Sequence, residues 1–238
     1  MTAINLVPAV FNWSGGKDST LALHYLLQQQ KFEIRYLLTT VNDSFNRVAM
    51  HGVRESILLA QAQSLDFPLY QVRLPELPDM VTYESVMNHH LEILKQQGIV
   101  HAVFGDLFLE DLKKYREDYL ATIGITAVFP LWKRNSLELI KEFIGLGYKT
   151  IVVCTQPGLE DFCGRIIDQS FLNDLPAHID PSGENGEFHT FVFDGPIFKQ
   201  PVLFTLGARI YRTFPPLNSN NLPTGYWYID LIPQVIGI

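Results

Sequence analysis

Two adjacent glycines, set between an apolar run and an amphipathic one, decide most of what this chain can fold into. Residues 6–11 are apolar, residues 21–27 form an amphipathic run, and Asn12-Trp13-Ser14-Gly15-Gly16-Lys17-Asp18-Ser19-Thr20 joins them. The order reads as a strand, a tight loop and a helix start. Paired glycines let the backbone turn sharply and come close to a ligand, and a helix beginning near Lys17 or Asp18 presents unpaired N–H groups and the positive end of its dipole. A phosphate group suits such a place. Lys17 adds a mobile point charge, the Ser14 and Ser19 hydroxyls can donate to phosphoryl oxygens, and Asp18 can hold a metal or cap the helix. The spacing excludes the two common nucleotide loops, because Walker A needs four residues between its first glycine and the Gly-Lys pair and the dinucleotide fingerprint needs G-x-G-x-x-G.

Ser14-Gly15-Gly16-Lys17-Asp18-Ser19 resembles the pyrophosphate loop of the ATP pyrophosphatases, enzymes that cleave ATP between its α and β phosphates and make acyl or imidoyl adenylates. Six consecutive residues fit, on a strand-to-helix junction near the N-terminus, which weighs against a glycine-rich turn that merely starts a helix.

At 238 residues the chain is long enough to bury a proper core, as one large domain or as one domain with a smaller appendage. Hydrophobic content is 47%, yet no run reaches the roughly 20 apolar residues that cross a bilayer, and no charged segment followed by an apolar core opens the chain. A cytoplasmic protein with no membrane partner is expected. Cys154 and Cys163 are too few for a disulfide framework and too far apart for a Cys-x-x-Cys site, so they read as buried thiols. With 18 basic residues against 25 acidic and a net charge of −7, the composition argues against a nucleic-acid partner.

Further along, residues 32–40 read as a second strand running into a polar loop, 51–64 as a helix, 68–74 as a third strand, and Tyr83, Val86, His90 and Leu94 as one face of a third helix that Gly98 stops. Residues 99–104 form an apolar run ending at Gly105-Asp106, as in a strand buried on both faces of a parallel sheet. Leu112, Tyr115 and Tyr119 give the next helix a buried stripe. A short strand at 126–129 follows, then Asn135 with Glu138 as a capping signal for a helix through Ile144, and a strand at 150–154. This alternation predicts an α/β fold with a Rossmann-like, doubly wound parallel sheet, whose cleft lies at the carboxyl ends of its strands. After about residue 156 the pattern breaks into short strand-like runs at 188–193, 201–212 and 226–231 with no long helix between them. The expectation is a nucleotide-binding domain at 1–156 and a smaller α+β substrate domain at 157–238.

The second informative stretch runs from Asp180 to Pro196 and packs acids, glycines and a histidine against an aromatic strand. Spacing alone makes it an acidic turn ahead of a hairpin. Together with the Ser14–Ser19 loop, Phe104-Gly105-Asp106, Tyr115-Arg116-Glu117 and Phe129-Pro130-Leu131-Trp132, however, its segment Gly183-Glu184-Asn185-Gly186-Glu187-Phe188-His189-Thr190 resembles the diphthine-ammonia ligase family of ATP pyrophosphatases. The similarity spans residues 10–198.

That resemblance implies amide formation from a carboxylate and ammonia, driven by cleavage of ATP to AMP and pyrophosphate with Mg²⁺. It implies that Ser14, Gly15, Gly16, Lys17, Asp18 and Ser19 hold the pyrophosphate, that Thr40, Asn42 and His51 lie against adenosine, and that Gly105 and Asp106 line the same cleft. Lys17, Asp18 and Glu187 are the expected catalytic residues, Glu187 by orienting ammonia. Glu184, Glu187 and His189 face the substrate, and Asp18 or Asp106 carries the metal. His51, read by itself, is equally a surface or capping histidine at a helix start. At His189 the family's archaeal and eukaryotic members are expected to have an acidic residue; this departure points to a bacterial branch and leaves the carboxylate acceptor open, between diphthine on elongation factor 2 and an unknown small molecule. The oligomeric state is open too, a homodimer being compatible with the sequence. Two rival readings are a tRNA-modifying ATPase of the same superfamily and an adenine-nucleotide sensor without turnover. The first lacks a Cys-x-x-Cys site and a basic face, and the second would not need to keep both Lys17 and Asp18.

Overall fold

A computed structural model of the chain describes residues 6–48, 51–214 and 224–234. Period-two alternation in the first strand, β1 (Val7–Asn12), sets the architecture: Ala9 and Phe11 point into one core and Val10 into another. A strand apolar on both faces must be covered on both faces, and here it lies mid-sheet.

β1 pairs in parallel with β2 (Phe32–Asn42) on one side and with β5 (His101–Val103) on the other. Beyond β5 lies β6 (Thr126–Val128), again parallel. The far edge of β2 carries β4 (Leu69–Leu74) in parallel, and β3 (Arg47–Val48) is a two-residue antiparallel stub on Val41 and Asn42. Leaving the stub aside, the parallel strands follow the doubly wound order, and its direction reverses at β1. Helices α1 (Lys17–Gln29), α2 (Glu55–Leu65) and α5 (Ser136–Gly145) pack on the face of Phe11, while α3 (Met80–Gln96) and α4 (Glu110–Ile123) pack on the face of Val10. Asn135 caps α5 as its spacing predicts, its Oδ1 accepting from the Glu138 N–H at 3.0 Å.

A second, antiparallel sheet has the order β8-β7-β10-β9, from β7 (Lys149–Thr155), β8 (Phe188–Asp194), β9 (Phe204–Phe214) and β10 (Thr224–Pro233). A 3-10 turn (Glu160–Phe162) and a short helix, α6 (Gln169–Asp174), lie between β7 and β8. The strand at 150–154 therefore departs from the parallel series. Its unbroken burial shows that it is covered on both faces and says nothing of its partners, which are β8 and β10. Ile151, Val152, Phe188 and Phe191 share one core with α1, α2 and α5, so this sheet is stacked on the helical layer. Asp230 of β10 anchors it further by accepting from Arg47 and Arg54 at distances down to 2.6 Å.

Two helical faces are rotated from the sequence expectation. In α3 the fully buried residues are Met87, Leu91 and Leu94, with Tyr83, Val86 and His90 flanking them. In α4 they are Leu120 and Ile123, and Leu112, Tyr115 and Tyr119 line a cleft instead. Cys154 and Cys163 are buried free thiols, pushed by burial to about 12 and about 11. No helix among the described residues is long and apolar enough to cross a membrane.

Candidate active site

Gly15 has φ +79°, and a Cβ there would fall 2.8 Å from Leu58 Cδ1. Only glycine makes this turn in the space available. Gly16 then caps α1 in extended conformation with no side-chain cap, so Asp18 is not the cap. Its N–H donates to Ser14 Oγ at 3.2 Å and its carbonyl accepts from the Ser19 and Thr20 hydroxyls at 2.9 Å each. Ser14 and Ser19 lie 3.1 Å apart, oxygen to oxygen. Thr20 N–H makes the first main-chain bond of the helix, to Gly16, so the Asp18 and Ser19 amides stand ahead of it at the positive end of the dipole.

The second sheet completes the loop. Thr190 Oγ1 of β8 accepts from Lys17 N–H at 3.1 Å, and the Val192 N–H donates to the Gly15 carbonyl at 2.9 Å. Gln61, fully buried on α2, ties the parts together: its amide donates to the carbonyls of Gly15 at 2.9 Å and Val192 at 2.5 Å, and its oxygen accepts from the Trp13 indole at 2.8 Å. No sequence signal singles out this glutamine, because a polar residue in a helix is ordinarily solvated.

Opposite the loop, the backbone after β5 comes so close to α1 that a Cβ on Gly105 would lie 2.9 Å from the Ser19 nitrogen. Glycine is required there by proximity. A cleft of about 630 Å³ opens at this junction. It is lined by Ser14, Asp18, Ser19, Thr40, His51, Gly105, Asp106, Glu184 and His189 among the expected residues, together with aromatic groups of α3 and α4. Gly15, Gly16 and Lys17 stand behind this lining, and two further expected residues turn elsewhere. Asn42 Oδ1 accepts from the Ser44 and Phe45 amides at 3.0 and 3.1 Å and so shapes its own turn. Glu187 is buried, with Oε1 taking the Asp180 amide and the Asn185 side chain at 3.1 and 3.0 Å and Oε2 taking the Asn185 amide at 2.9 Å. It builds the loop that carries Glu184 and does not line the cleft.

Lys17 is buried with its Nζ 2.6 Å from Asp18 and 3.7 Å from Glu184. Burial opposes its charge, but Asp18 and Glu184 outweigh that and the ammonium is held above its usual range. Since Asp18 is the closer counter-ion, Glu184 is the acid left over. Burial and then the Asp18 charge push its carboxyl up to about 8, and Asp180 and Asp106 add to the effect. Asp106 is likewise raised, chiefly by burial, although Arg116 pairs with it. His51 and His189 lie ring against ring, centroids 4.7 Å apart and planes tilted by 34°, with His51 Nδ1 3.3 Å from the Thr190 carbonyl. Burial lowers them to about 3 and about 4, so both are neutral near pH 7.

Among the described residues no three His, Cys, Asp or Glu side chains form a ready-made metal cage. Magnesium carried by a triphosphate needs only one or two carboxylates, the rest of its shell being water and phosphate oxygen. Asp18, Asp106 and Glu184 line one cleft and fit that requirement.

Two family models match most of the chain. The diphthamide synthase N-terminal domain matches residues 8–127 and the diphthamide synthase C-terminal domain matches residues 135–212. The chain belongs to the diphthamide synthase family. Its similar curated proteins are named diphthine–ammonia ligase: the Homo sapiens protein is 26% identical over 80% of each chain, and the Mus musculus protein 23% identical over 80% of each. The Schizosaccharomyces pombe protein is 20% identical over 81% of this chain, which spans 35% of that protein's length. Within this chain the N-terminal match contains the Ser14–Ser19 loop, Gly105 and Asp106, and the C-terminal match contains Glu184, Glu187 and His189. The cleft thus draws lining residues from both matched stretches.

Proposed function

We propose that the protein is an ATP-dependent ligase that adenylates a carboxylate, releasing pyrophosphate, and passes the acyl group to ammonia or an amine. The observation that carries this reading is the buried Lys17, held beside the free amides of α1 at the point where strand order reverses. A carboxylate is a poor electrophile because oxide would have to leave. Attack of its oxygen on the α-phosphorus breaks the bond to the bridging oxygen of the β-phosphate; nitrogen then attacks the acyl carbon, AMP departs and the nitrogen loses a proton.

In this reading the Asp18 and Ser19 amides, the Ser14 and Ser19 hydroxyls and Lys17 hold the β- and γ-phosphates and stabilise charge growing on pyrophosphate as it leaves. Thr40 and His51 flank the nucleoside. Asp18 and Asp106 would hold Mg²⁺, which when bound neutralises charge on the phosphates. Glu184 and His189 face the acceptor and the incoming nitrogen, and Glu187 serves by fixing the loop that presents Glu184. The relatives' name supplies diphthine and ammonia as the first candidates, diphthine being carried on elongation factor 2; a free carboxylate is the other. The organisation that goes with this reading is two units, with β7 counted in the C-terminal one because its strand partners are β8 and β10.

The test is to incubate the protein with ATP, Mg²⁺ and ammonium and follow nucleotide products. AMP and pyrophosphate are expected, and ADP would overturn the reading. Lys17→Ala is expected to lower AMP formation by about a hundredfold or more with folding retained by circular dichroism; unchanged turnover would reject the loop assignment.

A further inference from the structure

The cleft is longer than the phosphate loop requires, and its two ends differ. One end runs along the carboxyl end of β2, past Thr39, Thr40, Val48 and His51. In doubly wound folds the nucleoside lies on that side of the first strand. The other end lies on the β5 side, between α3 and α4, where Tyr83, Met87, Leu112, Tyr115 and Tyr119 line it. The polar tips of two of these tyrosines are already engaged: Tyr115 donates to Glu84 Oε1 at 2.9 Å and Tyr119 to Asn88 Oδ1 at 2.8 Å. Their rings are parallel, 5.8 Å apart, so this end offers apolar surface.

Among the described residues that line the cleft one cation stands, Arg116, at the boundary between the apolar end and the phosphate loop. Its guanidinium lies 4.3 Å from the centre of the Phe104 ring and pairs with Asp106. A guanidinium stacked on an aromatic face keeps its planar fork of donors in place, and one carboxylate does not exhaust five N–H groups. Resting on the ligase reading, we propose that the β5 side of the cleft is the acceptor site, with Arg116 anchoring the reacting carboxylate and the α3–α4 tyrosines holding an apolar body attached to it. This geometry brings the carboxylate to Asp106 and the loop, where the α-phosphate would stand. The acid expected there is therefore a monocarboxylate on an apolar or flat frame rather than a polar dicarboxylate.

Calorimetric titration of the full-length protein tests this, in the presence of α,β-methylene ATP, which cannot be cleaved at the bond in question. The probes are octanoate, 3-phenylpropionate, 3-phenylpropionamide and succinate. The two apolar acids are expected to bind about tenfold or more tightly than the amide and succinate. Arg116→Gln should erase the preference for acid over amide while leaving the affinity for α,β-methylene ATP within about twofold, and Arg116→Lys should restore part of it. Tyr115→Ala should weaken both apolar acids and keep the acid-to-amide ratio. Equal binding of acid and amide, or of octanoate and succinate, overturns the proposal, as does a loss of analogue affinity in Arg116→Gln, which would give the guanidinium to the nucleotide. Failure of the analogue itself to bind would instead overturn the nucleotide reading on which the proposal stands.

Discussion

Glu184 is the residue whose environment departs most from what its chemistry prefers. In the folded protein its carboxyl keeps a proton up to about pH 8, whereas the unfolded chain releases it near 4.5. The folded state binds more protons between those values, so this group removes stability as pH rises through that window. The two histidines act on the other side: the unfolded chain takes protons below about 6.5 that the folded His51 and His189 refuse until about 3 and about 4, so they remove stability as pH falls. Urea unfolding of the nucleotide-free protein should show a stability maximum between these limbs. Glu184→Gln is expected to flatten the alkaline limb and leave the acidic one; an unchanged alkaline slope would mean that Glu184 is ionised in the fold. The positions of these residues in the chain were readable, since a histidine and two acids flanked by glycines stand out. Their energetics were not, because desolvation depends on what covers them. Glu187 shows the same limit, as its motif neighbour lines the cleft while it is spent on the loop.

At the scale of elements, local signals read best. Asn135 followed by Glu138 announced the start of α5, and that cap is present. Asn135→Ala should cost about 1 kcal/mol in urea unfolding, with no change in nucleotide affinity, because Asn135 is exposed and its side chain caps only its own helix. A loss of affinity would show that α5 communicates with the site. Periodicity was less complete as a guide. Leu112, Tyr115 and Tyr119 repeat at helical spacing and read as core, yet they line a cleft, since a repeat locates an apolar face without saying what lies against it. The same holds for β7, whose apolar run fits a parallel or an antiparallel sheet equally. Gln61 gave no signal at all, and Arg116 stood out only within Tyr115-Arg116-Glu117, with no role attached to it. Each acquires its role from partners more than ten residues away or on another element.

For the whole molecule, the two sheets are not separable units of stability. Phe11, Leu23, Leu58, Phe143, Val152 and Phe191 belong to one continuous core drawn from both. A fragment ending at residue 134 keeps all strands of the parallel sheet but exposes that core and removes the Thr190 and Val192 contacts to the loop. It is therefore expected to bind the apolar dye ANS and to lose ATP affinity; a well-folded fragment binding ATP as the full chain does would refute the shared core.

A single buried amide, that of Gln61, grips both the bend at Gly15 and the backbone of β8. Whatever fills the bend must then be felt across the layer behind it, and by reciprocity a shift in that layer must alter how tightly the bend is filled. Occupancy and interlayer cohesion are thereby linked, so a triphosphate entering at one strand end would brace the far sheet through this amide.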